Sequence, residues 1–319
     1  MKKGSNHKLC LSKERLIGND SMVLEVSNIK QNYIIAFQTR IQSFDKLIIS
    51  HGKDQKYSSS FLVLDERNVS SYFYTTEEEM QECYSHDLKI TGNVSVVIGV
   101  KDNLTADVII AAGEKIFRCN ITWKGCTGTI MAESKNSNLT HCMLTFYCSD
   151  YDKKIWGFGD SYFGRWPQVL NEWGYANWMV DGYSGRKTKD ALTSLEKCLL
   201  FGTPQKIIWA MGMNDADSPE EINSEWMTTQ KKLESICERE GIELIMVMTP
   251  NVPNYKNIHK NDYIRTSGYR FVDLNTAVGA DIDTKWNAGL LDGDMVHPTD
   301  AGSKRIALAV VVGIPELRS

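Results

Sequence analysis

The stretch Ile155-Trp156-Gly157-Phe158-Gly159-Asp160-Ser161 decides the fold of the second half of this chain. An apolar run of strand length leads directly into Gly-Asp-Ser, and a segment with helical periodicity follows. Ser161 is therefore predicted at a strand-to-helix turn, where its backbone N–H can point at an anion and its hydroxyl can face a cleft. The alternative is that Asp160 or Ser161 serves only as a helix cap.

Downstream of this turn, predicted strands alternate with amphipathic helices. We expect strands at 154–157, 178–180, 206–210, 244–248 and 271–274, and helices near 164–173, 187–200, 219–240, 257–267 and 299–312. Such alternation predicts a parallel sheet covered by helices on both faces. Ligands of such sheets bind beyond the carboxyl ends of the strands.

The first half of the chain has a different period. From residue 22 to residue 148 apolar residues alternate with polar ones, and Gly- and Asn-containing turn signals separate the runs. Many short strands of this kind predict an all-β sandwich, jelly-roll-like, over residues 1–150, with the α/β domain over residues 151–319. The acidic stretch at 75–82 is expected to form a short helix.

Three further motifs lie at predicted strand ends or before predicted helices: Ser184-Gly185, Gly212-Met213-Asn214-Asp215 and Asp294-Met295-Val296-His297. A neutral serine hydroxyl is a poor nucleophile, so Ser161 needs a base within hydrogen-bond reach. Of the six histidines, only His297 lies in an Asp-x-x-His-Pro sequence before the last helix. Asp294 can then reach the imidazole Nδ1–H and fix its tautomer, with Asp292 as a nearby alternative.

Asn214 is predicted to have a free side-chain amide. The helix after it carries its own start signal, with Ser218 as N-cap, Pro219 in the first turn and Glu221 completing a capping box. Asn214 is therefore not needed as a cap, and its amide can donate to an oxyanion.

The order and spacing of the four motifs resemble those of the SGNH/GDSL hydrolase family, over roughly residues 153–312. The resemblance implies a three-layer α/β/α serine ester hydrolase with Ser161 as nucleophile, His297 as base and Asp294 as its partner. It also implies an oxyanion hole formed by Ser161 N–H, Gly185 N–H and the Asn214 side chain, with no metal and no organic cofactor.

One position departs from the family pattern. Many relatives carry an Asn a few residues before the second-motif glycine, whereas this chain reads Val180-Asp181. Gly182 is an alternative to Gly185, and either glycine could be an ordinary turn residue. The second oxyanion donor therefore has two candidates, Gly185 and Gly182.

A β-sandwich before this hydrolase resembles the architecture of carbohydrate esterases that remove acetyl groups, which implies an O-acetyl sugar as substrate. A lipase, thioesterase or acyltransferase with the same triad is one alternative, and a non-catalytic glycan-binding protein is another. The aromatic side chains nearest the motifs, Tyr162, Trp166 and Trp286, are expected either to line the substrate site or to belong to the core. Arg165 is expected to contact substrate or to be a solvated helix charge.

Composition excludes several other classes of function. The 319 residues carry a net charge of −4, which argues against binding to nucleic acid or to an anionic membrane, and the expected partner is a small-molecule or glycan ester. Eight cysteines occur without a C-x-x-C pair, so zinc-site spacing is absent. No apolar run follows the N-terminal lysines, so we expect no signal peptide and a cytoplasmic location.

Overall fold

The computed structural model of the chain describes residues 22–29, 33–43, 45–51, 60–74, 80–90, 92–101, 105–123, 128–135, 138–216, 225–280 and 285–318. The chain divides into two compact units, with the boundary between Asp150 and Tyr151. Among the described helices, none is long and apolar enough to cross a membrane.

The first unit consists of two antiparallel sheets. One sheet has the strand order β1-β10-β3-β4-β5-β6 and the other has the order β11-β2-β7-β8-β9. The strands are β1 (Met22–Ile29), β2 (Tyr33–Ser43), β3 (Lys46–His51), β4 (Ser60–Leu64), β5 (Asn68–Tyr74), β6 (Met80–Asp87), β7 (Gly92–Val100), β8 (Thr105–Ala112), β9 (Lys115–Thr122), β10 (Gly128–Lys135) and β11 (Asn138–Ser149).

The two sheets share one hydrophobic core. Alternate residues of strands from both sheets enter the same cluster, for example Ile35 and Phe37 of β2 and Leu62 and Leu64 of β4. This is the spacing expected when successive side chains of a strand point to opposite faces. The period-two pattern read from the sequence therefore has a direct structural counterpart.

The acidic stretch at 75–82 does not end in a helix. Met80, Gln81 and Glu82 belong to β6, which pairs antiparallel with β5. The acidic composition of this stretch predicted a helix. Pairing with β5 determines the conformation instead, because strand formation depends strongly on tertiary context. Residues 75–79 lie outside the described residues.

The second unit is an α/β structure with a five-stranded parallel sheet of order β13-β12-β14-β15-β16. Its strands are β12 (Ile155–Gly159), β13 (Met179–Gly182), β14 (Lys206–Ala210), β15 (Glu243–Val247) and β16 (Arg270–Val272). Its helices are α1 (Trp166–Glu172), α2 (Thr188–Cys198), α3 (Met227–Glu240), α4 (Ile258–Thr266), α5 (Leu274–Val278) and α6 (Asp300–Gly313), with 3₁₀ turns at Ser161–Gly164 and Pro315–Arg318.

The helices form two groups around this sheet. Helix α6 contacts both α1 and α5, and α2 contacts α3. Sheet residues such as Ile208, Ile245 and Val247 pack with α1 and α6 in one core cluster. Phe158 of β12, Trp209 of β14 and Met246 of β15 are buried outside that cluster. The predicted change from antiparallel β structure to a parallel α/β sheet is confirmed.

The predicted strand at 271–274 extends two residues beyond the observed C-terminal end of β16. Strand β16 stops at Val272, and Leu274 begins the short helix α5. The reason is Asp273, whose carboxylate accepts the backbone N–H groups of Asn275 and Thr276 and so caps a helix that the apolar pattern concealed.

Candidate active site

The turn that carries Ser161 is built by close packing of one aromatic ring on glycines. A Cβ placed on Gly159 or Gly182 would lie 2.1 Å or 2.4 Å from atoms of Phe163. Only glycine at these positions lets the Phe163 ring lie directly against the ends of β12 and β13. This packing fixes the one-turn 3₁₀ helix Ser161–Gly164 at the carboxyl end of the sheet.

Asp160 caps this turn from a buried position. One carboxylate oxygen accepts Tyr162 N–H at 3.1 Å, and the other accepts Met213 N–H at 3.3 Å. Burial raises the pKa of Asp160 to about 6, although the two backbone hydrogen bonds act in the opposite direction. Asp160, rather than Ser161, is therefore the cap, and its side chain ties the first motif to the third.

Ser161, His297 and Asp294 lie in hydrogen-bonded series. Ser161 Oγ is 2.9 Å from His297 Nε2, and His297 Nδ1 is 2.7 Å from Asp294 Oδ2. The imidazole is thus placed to accept the serine proton on one nitrogen while the carboxylate binds the other. Asp292, the alternative partner, lies instead 3.7 Å from Arg165.

Asp294 also shapes the backbone that carries His297. Its second oxygen accepts the N–H groups of Val296 at 2.9 Å and His297 at 2.8 Å, and Met295 between them has a φ of 59°. These hydrogen bonds, first among them the one from His297 N–H, lower the pKa of Asp294 well below its usual range. The partner of the imidazole consequently remains a carboxylate at every working pH.

Asn214 lies in the loop after β14. Its amide nitrogen donates to Arg186 O at 3.1 Å, which links the third motif to the second. Because an amide carries two N–H donors, this contact orients the group and leaves a second hydrogen to donate. Ser218, Pro219 and Glu221, which were predicted to cap the following helix, lie outside the described residues.

The second motif forms a tight turn. Gly185 has a φ of 76°, and a Cβ there would meet no atom within 4 Å, so the requirement for glycine is conformational rather than steric. Gly182 has the opposite requirement, because a side chain on it would collide with Phe163. Gly185 is exposed in the turn, whereas Gly182 is buried.

The departure from the family pattern at Asp181 coincides with a buried ion pair. Arg186 is fully buried and donates to Asp181 Oδ2 and to Asp181 O, both at 2.7 Å. Its guanidinium also lies 5.0 Å from the ring centre of Tyr183. A buried arginine paired in this way orders the turn around Gly185.

Two further residues of the site were not identified from the sequence. Lys260 of α4 is buried, and its ammonium donates to Gly212 O and Asp215 O, both at 2.6 Å. The Asp215 carboxylate accepts Thr188 Oγ1 at 2.6 Å, and burial raises its pKa. Lys260 and Thr188 thereby fix the loop that carries Asn214. Nothing in the sequence distinguishes Lys260 from the solvated lysines of an amphipathic helix.

The expected substrate-lining role of two aromatic residues is not supported. Trp166 is 0% exposed and stacks on Trp178 inside the core, so it cannot contact a substrate. Tyr162 is 4% exposed, and its hydroxyl donates to Val296 O at 2.5 Å. Of the two alternatives that the sequence left open, their burial favours the core. Sequence proximity to Ser161 could not decide between them, because it does not reveal which way a side chain points.

Trp286 and Arg165 also make backbone contacts. Trp286 is half-buried, and its indole N–H donates to Asn251 O at 2.8 Å. Arg165 donates to Pro298 O at 2.7 Å, so it is neither a purely solvated helix charge nor directed only at substrate.

The described residues contain no group of three or more His, Cys, Asp or Glu side chains able to hold a metal ion.

Comparisons with solved structures return proteins to which about half of this chain is similar. A protein described as a lipolytic member of the G-D-S-L family from Desulfitobacterium hafniense is 20% identical, with a TM-score of 0.42, and the match covers 50% of this chain and 99% of that one. A GDSL-like lipase from Bacteroides thetaiotaomicron is 14% identical, with a TM-score of 0.41 and coverage of 53% and 91%. A variant of an acetyl xylan esterase from Geobacillus stearothermophilus is 18% identical, with a TM-score of 0.38 and coverage of 51% and 94%.

No family model matches the chain. No curated protein matches it either. In the order of its four motifs, and in the way Ser161, His297 and Asp294 meet at the end of a parallel sheet, the chain resembles the SGNH/GDSL hydrolases.

Proposed function

We propose that this protein is a serine ester hydrolase that acts through an acyl-enzyme. The observation that carries the proposal is the hydrogen-bonded series from Ser161 Oγ through His297 to Asp294, at 2.9 Å and 2.7 Å. A nucleophile, a base and an orienting carboxylate at these distances are the groups that acyl transfer needs.

In the first half of the reaction, Ser161 Oγ attacks the ester carbonyl while His297 Nε2 takes its proton. The negative charge that develops on the carbonyl oxygen is stabilised by Ser161 N–H, Gly185 N–H and the Asn214 amide. The C–O bond to the alcohol then breaks, and His297 returns the proton to the departing oxygen. Water, deprotonated by the same imidazole, releases the acid and restores Ser161.

We further propose that the acyl group is short and the alcohol is a sugar, so that the enzyme is a carbohydrate O-acetylesterase. Among the described residues, Met295 is the one large exposed hydrophobic side chain within the four motifs, at 45% exposure. A fatty acyl chain would find little apolar surface there, whereas an acetyl group needs almost none. The inference that the alcohol is a sugar rests on the two-domain architecture and is an argument by analogy.

The test is a panel of p-nitrophenyl acetate, butyrate and octanoate, with acetylated xylan and acetylated mannan, applied to the wild type, Ser161→Ala and His297→Ala. We expect acetyl substrates to give the highest kcat/KM and each variant to lose roughly 10⁴–10⁶ in rate without a fall in Tm. Wild-type turnover in folded Ser161→Ala would exclude the mechanism.

The same panel separates the alternatives. Octanoate as the best substrate would indicate a lipase or thioesterase, and acyl transfer to a second alcohol would indicate an acyltransferase. No turnover and no labelling of Ser161 by a fluorophosphonate would indicate a non-catalytic glycan-binding protein.

A further inference from the structure

Two side chains from the nucleophile segment bind the backbone on either side of His297. Tyr162 Oη donates to Val296 O at 2.5 Å, and Arg165 Nη1 donates to Pro298 O at 2.7 Å. Tyr162 directly follows the nucleophile, and Arg165 follows it by four residues. The carbonyls before and after the base are thus bound from the turn that presents Ser161.

The backbone of the segment that carries His297 also pairs with itself. Leu291 and Pro298 form an isolated β-bridge, and Asp292 N–H donates to His297 O at 2.8 Å. The residues from Asp292 to Met295 are exposed, and Met295 has a left-handed backbone. Such a self-bonded, exposed loop has few buried contacts to hold its position relative to the sheet.

We propose that Tyr162 and Arg165 are positioning residues, which together clamp the His297 backbone so that its imidazole stays within hydrogen-bond reach of Ser161 Oγ. The proposal rests on the proposed function, because it assigns these residues a task in proton transfer from Ser161. The Val296 carbonyl belongs to the peptide unit that precedes His297, and the Pro298 carbonyl belongs to the unit that follows Pro298. The two contacts therefore hold the chain on either side of His297 and restrict the direction of its Cα–Cβ bond.

The two halves of the clamp differ in character. The Tyr162 ring is buried, with its centroid 6.0 Å from that of His297. Burial, reinforced by the charges of Asp160 and Asp294, raises the pKa of Tyr162, so the hydroxyl remains a donor at every working pH. Arg165 is partly exposed and also faces Asp292 at 3.7 Å. A guanidinium donates to a backbone carbonyl without losing its charge at any accessible pH.

Three variants test the clamp. Tyr162→Phe removes one hydroxyl and keeps the ring, Arg165→Met removes the donor and keeps the aliphatic stem, and Arg165→Lys keeps a cationic donor. Matched controls are Tyr263→Phe, whose hydroxyl donates to Glu234 at 2.5 Å, and Arg265→Met, which pairs with Asp262 at 2.7 Å. Neither control residue contacts the four motifs through these bonds.

We expect Tyr162→Phe and Arg165→Met each to lower kcat roughly tenfold with KM changed less than twofold, because displacing a base by about 1 Å can cost 10²-fold. The double variant should lose more than the product of the single losses, since either contact alone still holds one side of His297. Arg165→Lys should recover most of the loss, and both controls should keep wild-type kcat.

The decisive comparison uses the His297→Ala background. If the clamp acts through the imidazole, adding Tyr162→Phe or Arg165→Met to His297→Ala should leave the residual rate unchanged. Equal fold-losses in both backgrounds would overturn the proposal, because they would indicate general damage to the site. Unchanged kcat in the double variant would also overturn it.

A second readout does not depend on ester turnover. The NMR resonances of the His297 ring, assigned by comparison with His297→Ala, should shift in Tyr162→Phe and Arg165→Met and stay in place in both controls. A shift without esterase activity in the wild type would refute the proposed function and leave the clamp intact. Esterase activity that depends on Ser161, with no shift and no kcat effect in the variants, would refute the clamp alone.

Discussion

Asp294 performs two tasks with two oxygens, and Asp294→Asn separates them. One oxygen accepts the backbone N–H groups of Val296 and His297, while the other accepts the imidazole at 2.7 Å. The asparagine oxygen can keep the backbone bonds, so the turn should persist. Its amide then presents N–H to His297 Nδ1, which must become the acceptor, and the ring proton moves to Nε2.

An imidazole with its proton on Nε2 cannot accept the Ser161 proton across the 2.9 Å contact. The expected loss is about 10⁴-fold in kcat, which corresponds to about 5.5 kcal/mol of transition-state stabilisation. Asp294→Ala should lose a similar factor and also the two backbone hydrogen bonds, at a cost of about 1 kcal/mol in stability, as for a helix cap.

The assay is kcat/KM on p-nitrophenyl acetate from pH 5 to pH 9, with unfolding in urea measured on the same preparations. Asp273→Asn and Asp273→Ala are the matched controls, because Asp273 accepts the backbone N–H groups of Asn275 and Thr276 in a similar turn without an imidazole. They should change stability as the Asp294 variants do and leave activity intact. Asp294→Asn with kcat within tenfold of wild type would refute the tautomer argument.

Three other perturbations have defined outcomes. Asn214→Ala should lower kcat roughly 10²–10³-fold with little change in KM, because an oxyanion donor acts mainly in the transition state; steady-state kinetics on folded protein checks this. Lys260→Met should lower the free energy of unfolding in urea by about 2–4 kcal/mol and also lower kcat, because the carbonyls of Gly212 and Asp215 lose a buried cationic donor; unchanged kcat would show that the Asn214 loop is held by other contacts. Asp160→Asn should become more stable relative to the wild type by roughly 3 kcal/mol as pH rises from about 4 to 7, measured by urea unfolding at each pH; a difference that stays constant with pH would contradict the raised pKa.

The parallel sheet and the order of the four motifs along the chain were predictable, because both depend on local sequence signals. Strand and helix periods change at Tyr151, and each motif falls at a strand end, where the turn chemistry is visible in the sequence. Ser161, Asn214 and His297 were therefore found from their own neighbours along the chain. The start of α5 was missed because the single Asp273 cap outweighed an apolar pattern that looked continuous.

Two of the supporting contacts were not predictable, because each joins residues far apart in sequence. Lys260 bonds a loop 48 residues earlier, and Tyr162 bonds a carbonyl 134 residues later. Neither residue type has a pattern that reveals such a partner, and a lysine on a helix or a tyrosine beside a nucleophile has commoner roles. Sequence reasoning thus predicted residues that the structure brings together and missed the long-range contacts made by Lys260 and Tyr162.

Two carboxylates near Ser161 show why the placement of these supporting groups matters. Asp294 is exposed and bound by three N–H groups, so its pKa is lowered, and the stability it contributes is lost only as pH falls through that lowered value. Asp160 is buried, so its pKa is raised to about 6, and stability falls as pH rises from about 4 through 6 while the folded protein gives up the proton. At neutral pH both are charged, but for opposite reasons. The charge on Asp294 is stabilised by hydrogen bonds, and the carboxylate orients the imidazole of His297. The charge on Asp160 is destabilised by burial, but this carboxylate joins the Ser161 turn to the Asn214 loop by accepting Met213 N–H. In the proposed mechanism, this link fixes the distance between the Ser161 hydroxyl and the Asn214 amide, and the rate of acyl transfer is expected to depend on that distance.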